Sequence, residues 1–328
     1  MEIARRGLLG LTAAAVVTLA SSCREQDRTP ISTAVPRAPS PAQRAALPRF
    51  PGDPGPGKLY YGASVPHGQS VTAWERRLGA TLSVHRSYFS PDDNETAQLV
   101  AQCRDDYSNR RLPHVSVKPP WAWADIAAGQ HDPWLDTTLR SLGDLSTPII
   151  FTLHHEPEND SGGAGRQPRD YVRMQRRLLD HAADLAPQVV VAPVLQHWTF
   201  DPTRSDVDPS EWLVRDAPVV GLDIYNPWSQ DNGKDWRSFG GKIDEVRGWF
   251  DDTPLLIAEY GSRVDPEDPG LTVEWLRDAA DYARTHNIVS MSYFNSSVDA
   301  QGRTWALRAA AEETFANLLA SDWVARRA

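Results

Sequence analysis

The stretches of sequence that decide the fold read FTLHHEPEN at residues 151–159 and LLIAEYG at residues 255–261. Each is an apolar, strand-like run that leads to a glutamate, Glu156 in the first and Glu259 in the second. The glutamates are about a hundred residues apart, as expected of two loops on one face of an eightfold barrel, three strand-and-helix units apart. Two carboxylates brought together in this way suit the cleavage of a glycosidic bond.

Short apolar runs alternate with amphipathic helical stretches, which is the pattern of a parallel sheet covered by helices. The predicted strands are Leu59–Ser64, Leu82–Tyr88, His114–Lys118, Pro148–His154, Val189–Leu195, Val219–Tyr225, Pro254–Glu259 and Val289–Asn295. The predicted helices include Asn94–Arg110, Arg169–Leu185, Lys242–Phe250, Thr272–His286 and Trp305–Leu319. This order predicts an α/β fold, a (β/α)8 TIM barrel with a single catalytic domain. An open doubly wound sheet is the weaker alternative, because no strand precedes a glycine fingerprint for phosphate binding.

The alternation of side chains along a strand predicts which way the glutamates point. One face of the fourth strand would carry Ile150, Thr152, His154 and Glu156, and one face of the seventh would carry Leu255, Ile257 and Glu259. Both glutamates would then face the mouth of the barrel. A gap of about 5 to 5.5 Å between the carboxyl groups would give retention, and one of about 6.5 to 9.5 Å would give inversion. The glutamate in the drier or more negative surroundings would be the acid, because they raise its pKa.

The N-terminal residues have the features of an export signal. Residues 1–23 have a charged start, an apolar run too short to cross a bilayer, and small residues before Cys23. The small residues resemble a lipoprotein processing site and Arg5–Arg6 a twin-arginine signal; a plain cleavable signal is the alternative. Lipidation of Cys23 would tether the exported protein to the outer face of the bacterial cell membrane. Cys103 would have no intramolecular partner, so no disulfide framework is expected.

Residues 24–57 are predicted to be a Pro-rich linker, because the prolines are too closely spaced for a helix or a central strand. Residues 58–328 would form the barrel domain. The net charge of −9 argues against a nucleic-acid partner. We expect no cofactor and no metal, because the sequence contains no glycine-rich phosphate loop and no Cys/His metal spacing. The lipid anchor would be the only contact with the membrane.

Five motifs, in order along the barrel, resemble glycoside hydrolase family 26. They read VSVKPPW at residues 115–121, IAAGQHD at 126–132, HEPEN at 155–159, GLDIYN at 221–226 and AEYG at 258–261. The family lies in a large clan of retaining (β/α)8 glycosidases. The resemblance implies that Glu156 is the acid/base and Glu259 the nucleophile. It also implies that His155 and Tyr225 support them, with Tyr225 hydrogen-bonded to the nucleophile, and that the substrate is a β-linked glycan such as β-mannan.

Aromatic residues beyond the predicted strand ends are candidates for binding sugar rings, whose apolar faces stack on aromatic planes. They are Trp121, Trp123, Trp198 and Trp228, with Phe294 near the last strand. Six other tryptophans, Trp305 among them, are expected to pack against the barrel. Arg86 is expected near Glu259, as its ion-pair partner or as part of the substrate site.

Structural explanations of the same residues stay open. In such an explanation Glu156 would accept hydrogen bonds from free backbone N–H groups at the start of a helix, and Glu259 would form an ion pair with Arg86. One of His154 and His155 is expected to pack on the barrel exterior, because adjacent strand residues cannot share a face. Asp223 is expected to be a buried partner of a lysine or arginine.

Two functions other than hydrolysis use the same barrel. A catalytically silent carbohydrate-binding barrel would capture glycans for other proteins, although a binding protein has no need of two carboxylates flanking one bond. Transglycosylation would use every residue of the hydrolytic site.

Overall fold

The computed structural model describes residues 48–66, 68–90, 95–228, 233–265, 267–298 and 304–327. Within these ranges nine parallel strands form one sheet. The strands are β1 (Tyr60–Ser64), β2 (Val84–Phe89), β3 (Leu112–Val117), β4 (Ile149–Leu153), β5 (Val189–Val191), β6 (Val194–Gln196), β7 (Val220–Asn226), β8 (Leu255–Ser262) and β9 (Ile288–Phe294). Their order across the sheet is β5-β4-β3-β2-β1-β9-β8-β7-β6.

The strands β5 and β6 together occupy the single strand predicted at Val189–Leu195. Ala192 and Pro193 separate them, and a proline has no N–H to donate to a sheet. They stand at the two ends of the strand order, so the sheet closes where they meet. Counted as one strand, they give the eight positions of a (β/α)8 barrel, and the predicted fold is confirmed.

Eight α-helices are described around the strands. They are α1 (Val71–Leu78), α2 (Glu95–Ser108), α3 (Trp123–Ala127), α4 (Asp132–Gly143), α5 (Pro168–Leu185), α6 (Phe239–Val246), α7 (Gly270–Ala283) and α8 (Ala309–Leu319). The helix predicted from Trp305 therefore begins only at Ala309. The reason is that Trp305 is bonded to the segment after β9: its backbone N–H donates to the Ser296 carbonyl at 3.0 Å and its ring N–H to the Val298 carbonyl at 3.1 Å.

Two hydrophobic cores show which way each strand residue points. The larger, outer core joins strand residues to the helices. The smaller, interior core contains no residue of the helices and consists mainly of strand side chains inside the barrel, among them Tyr60, Val84, Leu112, Ile150, Val190, Val194, Leu256 and Ala258. Polar side chains occupy the interior above it, toward the carboxyl ends of the strands, where the active sites of such barrels lie.

The last part of the predicted linker packs on the barrel. Phe50 belongs to the interior core, and Arg49 Nε pairs with Asp53 Oδ2 at 2.8 Å. Residues 1–23, with Cys23, lie outside the described residues, so the export signal stays a prediction, as do the domain boundaries. No helix in the described ranges is long and apolar enough to cross a membrane.

Candidate active site

Glu259 reaches the barrel interior through an irregularity in β8. Ile257 belongs to the outer core and Ala258 to the interior core. The pairing of β7 with β8 shifts at this point and leaves Ala258 as an extra residue. Such a bulge lets the next side chain lie on the same side of the sheet. The expectation that residues 255, 257 and 259 share a face is therefore wrong, although Glu259 does face inward.

Two tyrosine hydroxyl groups donate hydrogen bonds to Glu259. Tyr88 bonds Oε1 at 2.8 Å and Tyr225 bonds Oε2 at 2.6 Å. The second bond is the one that the resemblance implied. Arg86 adds a positive charge, with Nη2 3.7 Å from Glu259 Oε1. Both carboxyl oxygens of Glu259 therefore accept hydrogen bonds, and a guanidinium lies beside one of them.

Arg86 lies beside Glu259 and has no exposed side-chain surface. Its Nη1 is 2.6 Å from His114 Nε2. Because a guanidinium can only donate, the imidazole accepts at Nε2 and is neutral. Burial lowers the pKa of His114 well below its ordinary value, and the charge of Arg86 lowers it further. The structure thus places Arg86 as the ion-pair partner of Glu259, with no surface open to a substrate.

Glu156 lies beyond the end of β4, in a strained turn. His154 has a φ of 58°, and Glu156 has a φ of 47° and a ψ of 53°. This left-handed conformation is uncommon for residues other than glycine. Backbone bonds fix the turn on both sides: His154 donates to the Val117 carbonyl at 2.7 Å and Glu156 to the Val194 carbonyl at 3.1 Å. The regular alternation predicted for the fourth strand therefore ends at Leu153.

The left-handed turn separates the two histidines. His154 is directed toward the outer core, where the Trp123 ring N–H donates to its Nδ1 at 3.1 Å. One histidine is thus packed outside the barrel, as expected. The prediction that His154 shares the inner face with Thr152 is wrong, because its positive φ turns the chain.

His155 faces the interior instead. Its Nδ1 is 2.8 Å from Ser116 Oγ, and its ring centroid is 5.4 Å from that of Tyr88. Burial lowers the pKa of His155 well below its ordinary value, and the charges of Arg86 and Lys118 lower it further. His155 is therefore a neutral hydrogen-bonding group beside the glutamates.

Three carboxyl groups meet at the mouth of the barrel. One oxygen from each of Glu156, Asp223 and Glu259 lies within 4.8 Å of the others. The short gap between the two glutamates matches the arrangement that gives retention. Burial raises the pKa of Glu156 to about 8, and the charge of Glu259 contributes to the rise. Glu156 therefore carries its proton at neutral pH, and both oxygens of Glu259 accept hydrogen bonds from tyrosines.

Asp223 is 3% exposed, and neither carboxyl oxygen has a hydrogen-bond partner among the described residues. It has none of the lysine or arginine bonds that we expected. Burial raises the pKa of Asp223 well above its ordinary value, and the charges of Glu259 and Glu156 add to this.

A second group of potential metal ligands, His197, Asp201 and Glu245, lies apart from the three acids. Arg237 forms ion pairs with both carboxylates of this group. Its Nη1 lies 2.7 Å from Asp201 Oδ2, and its Nη2 pairs with Glu245. The arginine thus supplies the positive charge that these acids require.

Glu158 was not anticipated as a site residue. Its Oε1 accepts hydrogen bonds from the Gln196 backbone N–H at 3.0 Å and from the Thr199 hydroxyl at 2.6 Å. Burial raises the pKa of Glu158 to about 7, although these bonds oppose the rise. Glu158 thereby joins the turn that carries Glu156 to the end of β6 and to the segment after it.

Aromatic rings lie around Tyr225, the residue that bonds Glu259 Oε2. Tyr225 contacts Phe294 edge-on, with ring centroids 5.9 Å apart, and lies 4.9 Å from the Trp305 ring. The structure thus brings Tyr225 and Phe294 together with Glu259. Three of the predicted tryptophans have ring partners of their own: His131 and Trp134 for Trp121, the Arg204 guanidinium for Trp198, and Trp236 for Trp228. The fourth, Trp123, is fully buried in the outer core, so the prediction that it binds a sugar ring is wrong.

Sequence reasoning missed Tyr88 and Trp305. Tyr88 alternates with Arg86 along β2, and the parity argument used for the glutamates would have found it. Trp305 gave no comparable signal, because it precedes a helix and joins Tyr225 only through the loop after β9.

The structure is similar to solved structures of glycoside hydrolases. GH26A from Muricauda sp. MAR_2010_75 matches with a TM-score of 0.53 and 14% identity over 82% of this chain and 91% of that chain. A double mutant of a Cellulomonas fimi endo-β-1,4-mannanase matches with a TM-score of 0.52 and 14% identity over 82% and 72%. A β-glycosidase from Pyrococcus horikoshii matches with a TM-score of 0.54 and 10% identity over 80% and 93%.

The fold is similar to that of solved glycoside hydrolase family 26 structures. The likeness to the Muricauda and Cellulomonas structures confirms the fold that the five motifs predicted. No protein-family model matches the sequence, and no curated protein matches it either.

Proposed function

We propose that the protein is a glycoside hydrolase that cleaves β-linked glycans with retention of configuration. The observation that carries the proposal is the unequal treatment of two neighbouring glutamates. Glu259 accepts hydrogen bonds from Tyr88 and Tyr225 and lies beside the charge of Arg86. Burial and the charge of Glu259 raise the pKa of Glu156 to about 8. Such a pair divides into a nucleophile and an acid.

The reaction takes two steps. In the first, the Glu259 carboxylate attacks the anomeric carbon while Glu156 gives its proton to the departing oxygen. The resulting ester removes the negative charge of Glu259, which is one cause of the raised pKa of Glu156. Glu156 can then remain ionised and accept a proton from the water that attacks the ester. Hydrolysis releases the sugar with its original configuration.

The proposed substrate is a β-linked polysaccharide or oligosaccharide, β-mannan or another β-glycan. One of the similar structures is an endo-β-1,4-mannanase and another is a β-glycosidase. The rings of Tyr225, Phe294 and Trp305 beside Glu259 suit a sugar with an apolar face. No cofactor takes part in the proposed reaction.

The test is a screen of the purified protein against β-mannans, β-glucans and xylans, with released reducing ends as the readout. Proton NMR of the first product would give its configuration, and we expect the β-anomer to appear before mutarotation. A first product with the α-configuration would overturn the retaining mechanism. Binding of a glycan without any cleavage would favour the silent carbohydrate-binding barrel.

We also propose that the protein is exported and lipid-anchored through Cys23. The proposal is supported by the sequence of residues 1–23. Changing Cys23→Ala should move the protein from the membrane fraction to the soluble exported fraction and leave its activity unchanged. A wild-type protein found wholly in the soluble exported fraction would overturn the anchor and leave the export proposal standing.

A further inference from the structure

The turn from residue 154 to residue 160 is held by a chain of hydrogen bonds outside the pair of glutamates. The Trp123 ring N–H donates to His154 Nδ1 at 3.1 Å. His154 Nε2 lies 2.9 Å from Asp160 Oδ2, and Lys118 Nζ donates to the same oxygen at 3.0 Å. The chain therefore links α3, the end of β3 and both ends of the turn that carries Glu156.

The protonation states along this chain follow from the donors. An indole N–H can only donate, so Nδ1 of His154 carries no proton and Nε2–H donates to Asp160. This is the neutral imidazole, and burial lowers the pKa of His154 to about 4 in agreement. Burial alone would raise the pKa of Asp160, but the bonds from Lys118 and His154 outweigh it and lower the value. Lys118 thus carries the positive charge of the chain.

The hydrogen bonds of this chain hold a strained turn in place. His154 and Glu156 both have positive φ values, 58° and 47°. Residues other than glycine rarely keep such φ values unless the surrounding structure holds them. The bonds at Asp160 close the turn behind Glu156, so their loss would let the turn relax and displace the carboxyl group.

The charges around Glu156 come from several elements. Glu259 on β8, Asp223 on β7 and Glu158 in the same turn are acidic, and Arg86 on β2 and Lys118 after β3 are basic. Arg86 is already engaged with Glu259 and His114. Lys118, which is 33% exposed, is therefore the cation on the acid side of the site.

We propose that Lys118 is a positioning residue for Glu156, which acts through Asp160 and His154 to hold the strained turn and which keeps a positive charge beside the acid. The inference rests on the proposed function, because it assigns Lys118 to the acid/base glutamate of that reaction. The resemblance to a family gave Lys118 no role.

The first test is a direct titration of Glu156, which needs no activity. Glutamate labelled with ¹³C at the carboxyl carbon is followed by NMR in the full-length protein, and Glu156→Gln identifies the resonance. In Lys118→Met the midpoint should rise by about half a pH unit or more, because a neighbouring cation is lost. Lys118→Arg should keep the wild-type midpoint. Arg76→Met, which removes an exposed charge on α1, is the matched control and should also keep it.

The second test uses leaving groups. On the glycan cleaved in the screen, Lys118→Met should lose about ten-fold in kcat/KM, because the acid is misplaced. A dinitrophenyl glycoside of the same sugar has a leaving group that departs without a proton. On this substrate the loss in kcat/KM should be less than about two-fold. Asp160→Ala should show the same selective loss, because it removes the oxygen that accepts both bonds of the chain.

An unchanged titration of Glu156 in Lys118→Met would overturn the proposal, whether or not the protein cleaves glycans. Equal losses on both substrates would mean that Lys118 has a general structural role, and would also overturn it. A wild-type protein without activity on any glycan would overturn the proposed function alone, since the titration still decides the effect of Lys118.

Discussion

The ends of β4 and β8 each deliver one glutamate to the same place by different means. Glu259 lies within β8, after a bulge, and both of its oxygens accept tyrosine hydrogen bonds. Glu156 lies past β4 in a left-handed turn, and its Oε2 accepts a hydrogen bond from Asn159 Nδ2 at 3.1 Å. This difference suits the proposed reaction, in which the nucleophile stays charged and the acid gains and loses a proton.

The largest effect is expected at the more firmly held end. Glu259→Ala removes the atom that forms the covalent intermediate, so kcat/KM should fall by at least about 10⁴-fold on every substrate. Reducing-end and aryl-release assays measure the loss. Azide can replace the missing carboxylate and would give a glycosyl azide of inverted configuration. An azide product with retained configuration from this variant would mean that the two glutamates have exchanged roles.

Glu156→Ala should act selectively. Loss of the acid should slow cleavage of the natural glycan by about 10² to 10⁴-fold, whereas an aryl glycoside with an acidic phenol should keep its first step. The aryl burst measured by stopped flow checks this. Azide should then restore turnover and give a β-glycosyl azide, because it attacks the intermediate without a general base. Equal losses on both substrates would contradict the acid assignment.

The next largest effect on activity is expected from the two tyrosines that donate hydrogen bonds to Glu259. Tyr225→Phe deletes the 2.6 Å bond to Glu259 and should lower kcat/KM by about 10- to 100-fold, the cost of a hydrogen bond to a charged group. Tyr88→Phe should cost less, because Tyr88 is 37% exposed and its bond is longer, at 2.8 Å. Tyr107→Phe, on the exposed side of α2, is the control. A control that loses as much activity would contradict the argument.

The smallest effect concerns the charge coupling between the ends. Burial and the charge of Glu259 raise the pKa of Glu156 to about 8, and the acid must be protonated, so kcat/KM should fall as the pH rises through about 8. Glu259→Gln removes the charge and keeps the shape. The Glu156 midpoint, followed by carboxyl NMR, should then move to lower pH. A midpoint that stays near 8 would mean that burial alone sets it.

Much of the fold could be predicted because strand and helix periodicity are local properties. Each predicted strand was found within a few residues of its position, and the interruption at Pro193 is itself a local effect. The start of α8 was placed too early, because bonds from Trp305 to the end of β9 compete with the helix. Such bonds join residues whose proximity the sequence does not display.

The sequence by itself determined the closed barrel, the two glutamates at its mouth and the hydrogen bond from Tyr225, because these depend on periodicity and on recognisable motifs. Tertiary structure decided how the glutamates face each other. The bulge at Ala258 and the left-handed turn at His154 broke the simple alternation. It also raised the pKa of Glu156, because the pKa of a carboxyl group depends on burial and on charges that the fold brings from distant strands.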